Sequence, residues 1–109
     1  MTEIAKRGQG VIIIGNRPGY ASTMHEVFHM EHWMKNPLYG SASPIVQERY
    51  VFERMIQPAV WNNLSLSERA AEISRIEKWL GRSGATGTFR QEVDRLIQQA
   101  KSRLNTHLP

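Results

Sequence analysis

Two hydrophobic periods run along this chain. Near the start, Val11-Ile12-Ile13-Ile14 is a continuous apolar run bracketed by Gly10 and Gly15. Three β-branched isoleucines after a valine, only four residues in all, predict a β-strand. Pro18-Gly19 suits the centre of a type II turn just beyond it. From there on the period is helical. Met24, Val27, Phe28 and Met34 recur at helical spacing from about Ala21 to Lys35, and Asn36-Pro37 ends the run. Ser43 as N-cap and Pro44 at the first helical position open another helix, which runs to about Gln57 and stops at Pro58. Ser65-Leu66-Ser67-Glu68 reads as a capping box, with Leu66, Ala70, Ile73, Ile76 and Leu80 on one face and Gly81 as the stop. After a loose linker at 83–87, the last helix buries Phe89, Val93, Leu96, Ile97, Ala100 and Leu104. The pattern predicts one α+β domain over residues 1–109, mostly helical. A short N-terminal strand leads into a first helix and about three more.

Composition narrows the classes. A length of 109 residues suits one domain, and 40% hydrophobic with 22% charged residues excludes a disordered tail. The absence of cysteine excludes disulfides, thiolate zinc sites and cysteine nucleophiles. No apolar run approaches the length of a membrane span. The N-terminal Met1-Thr2-Glu3-Ile4-Ala5-Lys6-Arg7 offers no signal-peptide core, so export is expected by another route. The net charge of +4 permits an anionic partner. Yet Arg75, Lys78, Arg82, Arg90, Arg95, Lys101 and Arg103 are interleaved with Glu72, Glu77, Glu92 and Asp94, as on an ordinary solvated helix surface. A nucleic-acid-binding or nuclease module is therefore the alternative reading, and nucleic acid is not the expected partner.

Chemistry concentrates in the first helix. His25-Glu26-Val27-Phe28-His29 is an H-E-x-x-H pattern on a segment already read as helical. Residues i and i+4 share a helix face, so two imidazoles can meet one ion at zinc–nitrogen distance. Glu26 is turned about 100° round the helix. It does not chelate, but it can reach an ion-bound water and take its proton. A catalytic zinc site needs a third protein ligand. His32 stands about 10.5 Å along the axis from His25, too far for both to bind one ion undistorted. Lys35 fills the place of the third histidine in the H-E-x-x-H-x-x-G-x-x-H pattern, which removes that option.

Two glutamates remain open as the third ligand. Glu48 completes H-E-x-x-H-x18-E and shares its helix face with Ile45, Phe52 and Met55, so it points inward. A buried carboxylate there is costly unless it is paired or bound to metal. Glu53, beside Arg49 and Tyr50, is the alternative third ligand and reads more simply as a solvated or ion-paired residue. Tyr20, Tyr39, Tyr50 and His32 are candidates to steady an oxyanion or support the ligands. Trp33, Trp61 and Trp79 are expected to pack between helices.

Three stretches carry a resemblance: His25 to His32, Gln47-Glu48-Arg49-Tyr50-Val51-Phe52-Glu53, and Trp61-Asn62-Asn63-Leu64-Ser65-Leu66-Ser67-Glu68-Arg69. Together, over about residues 10–82, they resemble the zincin-like metallopeptidase toxin domains. Those domains are the C-terminal warheads of bacterial polymorphic toxins, including RHS-type and type VI secretion effectors. The resemblance implies a minimal gluzincin-type zinc peptidase with one ion, Glu48 as third ligand and Glu26 as general base. It also implies a protein or peptide substrate, delivery into a target cell within a larger effector, and a cognate immunity protein. A catalytically silent metal-binding interaction domain is the third reading.

Overall fold

A computed structural model describes residues 19–36 and 43–108. Five helices follow in order: α1 (Tyr20–Lys35), α2 (Pro44–Met55), α3 (Pro58–Trp61), α4 (Leu66–Ser83) and α5 (Gly87–Ser102). Among the described residues there is no strand, and every regular element is a helix. The expected α+β class is thereby corrected to all-α over the described residues. A lone strand needs a partner edge for its backbone groups, and the described helices supply none. The run Val11-Ile12-Ile13-Ile14 lies outside the described residues, as does Tyr39.

Local chemistry sets the helix ends. Ser65 caps α4 in a reciprocal box: its hydroxyl accepts from the Glu68 N–H at 3.1 Å, and Glu68 accepts from the Ser65 N–H at 2.7 Å. The helix continues two residues past Gly81 and ends at Gly84, whose φ of 69° needs a residue without Cβ. Pro58 does not simply stop a helix. It sits at the first position of the unexpected short α3, where its missing N–H costs nothing.

The elements pack around α2, which lies against both α1 and α4, while α5 covers α4. The core joins Phe28 of α1, Ile45, Val51, Phe52 and Met55 of α2, Trp61 of α3, Ile73, Ile76 and Leu80 of α4, and Val93, Ile97 and Ala100 of α5. Phe89, Leu96 and Leu104 are half-buried at its rim. The buried face of α4 holds the expected Ile73, Ile76 and Leu80 but differs in its other members. Leu66 and Ala70 are exposed, and Arg69 and Glu72 are buried beside Ile73, Ile76 and Leu80. Both charged side chains have specific partners, which is what makes their burial tolerable. Arg69 stacks on Trp61 and donates to the carbonyls of Trp61, Arg103, Leu104 and Thr106 at 2.9–3.2 Å. It ties the chain after α5 onto the bundle. Trp61 is fully buried, as expected, and Trp79 is half-buried. Trp33 is corrected: it is 59% exposed on α1 rather than packed between helices.

Candidate metal centre

Three helices converge on one cluster. Along α1, one turn separates His25 from His29, and their ring centroids are 5.0 Å apart. The contact of α2 with α1 brings in Glu48. One of its carboxylate oxygens lies 3.1 Å from His25 Nε2 and the other 3.1 Å from His29 Nε2. From α4, Glu72 meets the far side of the His25 ring, 3.2 Å from Nδ1. His25 and Glu72 are buried, while His29 and Glu48 are half-buried. The ligand atoms of His25, His29 and Glu48 all lie within 4.8 Å of one another. Ligands about 2.0–2.1 Å from a tetrahedral ion are separated by about 3.3 Å, so the observed spacings fit one centre. Two imidazole nitrogens and a carboxylate oxygen suit zinc and several other first-row ions. This group can hold a metal ion, and its donor set does not choose among those ions.

The charges are arranged for that task. Burial works to keep the His25 ring neutral, but hydrogen bonds to Glu48 and Glu72 outweigh it and push its pKa up to about 9. Burial lowers the pKa of His29, and the neighbouring His25 lowers it further, against the pull of Glu48. Burial raises the Glu48 carboxyl, yet the hydrogen bond from His25 and the charges of His25, His29 and Arg75 bring it below the ordinary value. The raised pKa favours an imidazolium at His25, held against Glu48 and Glu72, while the lowered pKa of His29 favours its neutral ring.

The other expected residues fall in different places. Glu26 is exposed on α1, next to His25 in sequence. Glu53 is not brought to the histidines. It is 46% exposed at its side chain and forms an i,i+4 ion pair with Arg49 at 3.8 Å. His32 is buried outside the three-residue group, stacked on Tyr50 with ring centroids 4.3 Å apart. The Tyr50 hydroxyl donates to Glu31 at 2.7 Å, and Arg54 Nε donates to the same carboxylate at 2.9 Å. That engagement turns Tyr50 toward Glu31. Tyr20 packs half-buried against the core.

Glu72 is the residue that sequence reasoning missed, having been counted among solvated surface charges. A signal for it exists. On a helix, position 72 falls four residues before Ile76 and eight before Leu80, inside the apolar stripe. A carboxylate at a core position asks for a buried partner, and His25 is that partner. No family model, no curated protein and no solved structure matches this chain.

Proposed function

We propose that this domain is a zinc-dependent metallopeptidase in which His25, His29 and Glu48 hold one ion. The observation that carries the reading is the convergence of these three side chains from α1 and α2, with Glu26 next to His25 in sequence and exposed on α1. When bound, the ion supplies an acidified water and polarises the scissile carbonyl. Glu26 takes a proton from the attacking water and passes it to the leaving amine. Glu72 accepts from His25 Nδ1–H, which fixes the tautomer that leaves Nε2 free to ligate. An all-helical carrier lends no support of its own, so the reading rests on the site. The resemblance to toxin warheads adds the setting: an effector domain delivered into a target cell, acting on protein or peptide, and held in check by an immunity protein.

The test begins with protein purified without chelator. It should carry close to one zinc per chain and cleave a peptide library, and Glu26→Gln should keep the zinc while losing cleavage. A protein with intact His25 and His29 that takes up no divalent ion overturns the reading. Metal binding with no cleavage of any library assigns the domain instead to metal-dependent interaction.

A further inference from the structure

Immediately beyond the metal group, α4 presents a charged groove that the site does not use. Ala71, Ser74, Arg75, Lys78, Trp79 and Arg82 line about 410 Å³ along one face of the helix. Three cations, one indole and one hydroxyl face this space, and no carboxylate lines it. The acidic residues of α4 are engaged elsewhere: Glu68 in the N-terminal cap, Glu72 on His25, and Glu77 with Lys101 at 2.8 Å. Arg75, Lys78 and Arg82 are exposed, and none of them forms a salt bridge among the described residues. Arg82 lies over the Trp79 ring, 5.7 Å from its centroid. The groove adjoins the site, because Arg75 follows Glu72 by one helical turn and its charge acts on Glu48.

We propose that this face of α4 is a subsite for an acidic stretch of the peptide substrate, recognised by Arg75, Lys78 and Arg82. The inference rests on the peptidase reading and adds the substrate class. Along the axis these residues stand about 4.5, 9 and 15 Å beyond Glu72 at 1.5 Å per residue. An extended peptide advances about 3.3 Å per residue. Counted from the level of Glu72, aspartates or glutamates are therefore read roughly one to five residues along the peptide. Three cations in one groove match such a segment. A nucleic acid would ask for a wider basic footprint, on the order of six to ten phosphate contacts.

The experiment uses a fluorescein-labelled hexapeptide with three consecutive glutamates, its three-glutamine counterpart, and a single-stranded DNA 12-mer. Anisotropy is read with the intact protein in excess chelator, so that neither metal nor turnover enters the measurement. The glutamate peptide should bind more tightly than the glutamine peptide and weaken as salt rises. Replacing Arg75, Lys78 and Arg82 together by Gln should cost on the order of tenfold in affinity, from small contributions of exposed pairs. Arg95→Gln, which removes a cation from α5, should cost nothing. Equal binding of the two peptides, or equal losses in both variants, overturns the proposal. So does DNA binding tighter than the glutamate peptide and abolished by the same triple variant. Acidic-peptide binding by a protein that takes up no metal would leave the subsite standing and remove the peptidase reading. Zinc-dependent cleavage with no acidic preference would do the reverse.

Discussion

Metal binding at this centre should be limited by a single proton, the one on His25. Its ring sits between Glu48 at 3.1 Å and Glu72 at 3.2 Å, and its pKa rises from 6.5 to about 9. Nε2 must be neutral to ligate, so at pH 7 only about 1% of the metal-free protein is competent, a penalty of about 3 kcal/mol. The pKa of His29 is lowered and so is that of Glu48, so neither adds a proton near neutrality. Apparent affinity should therefore tighten about tenfold from pH 7 to pH 8 and level off near pH 9. The measurement is a competition titration against a chromophoric chelator, corrected for the chelator's own protonation. Calorimetry in buffers of different ionisation enthalpy should show one proton released per ion. Stability carries the opposite sign without metal. A raised folded-state pKa contributes up to about 3 kcal/mol that is fully present below pH 6.5 and lost as pH rises through 9. Urea denaturation in chelator should thus weaken from pH 6.5 to 9, while metal-saturated protein stays nearly flat over the same window, because the bound state and the unfolded chain both leave His25 neutral there. Affinity that is flat between pH 7 and 8, or matching slopes with and without metal, refutes the clamped-imidazolium argument.

Glu48→Ala should weaken metal affinity by about 100-fold or more, whereas Glu53→Ala should leave it within about twofold, both read by the same competition titration. The reverse result would move the centre away from the geometry seen here. Arg69→Met should destabilise the domain by about 3 kcal/mol or more in urea unfolding, because it strips charged hydrogen bonds from four carbonyls, those of Trp61, Arg103, Leu104 and Thr106. Little change would show that water replaces the guanidinium there. Replacing His25, Glu48 and Glu72 together by Leu should leave metal-free stability unchanged or higher at pH 8, by the same denaturation, while abolishing metal binding.

Much of the helical frame was legible because its signals are local. Pro44 at the first helical position and the Ser65–Glu68 box each act within one turn, and the structure places α2 and α4 where they indicate. The H-E-x-x-H spacing likewise needs only one helix to align His25 and His29. What failed depended on distant partners. The buried face of α4 is set by His25 on α1 and by carbonyls after α5, so Glu72 looked like a surface charge when read alone, and Arg69 drew no reading of its own. Trp33 has the size of a core residue, but α1 turns Phe28 toward α2 and leaves Trp33 outside.

The energetics of the cluster argue for its purpose. Burying an imidazolium with two carboxylates removes their hydration, and mutual attraction repays that only in part. Leucines of similar volume could fill the same space between α1, α2 and α4 and extend the core already formed by Phe28, Phe52 and Ile76. Stability alone therefore gives no reason to keep three ionisable groups there, with His29 as a fourth. An ion would change the balance: held by His25, His29 and Glu48, it would take the place of the His25 proton and leave Glu72 to accept from Nδ1. The free energy of binding then adds to that of folding. On this reasoning the charged centre costs the metal-free bundle some stability and returns it when a metal binds.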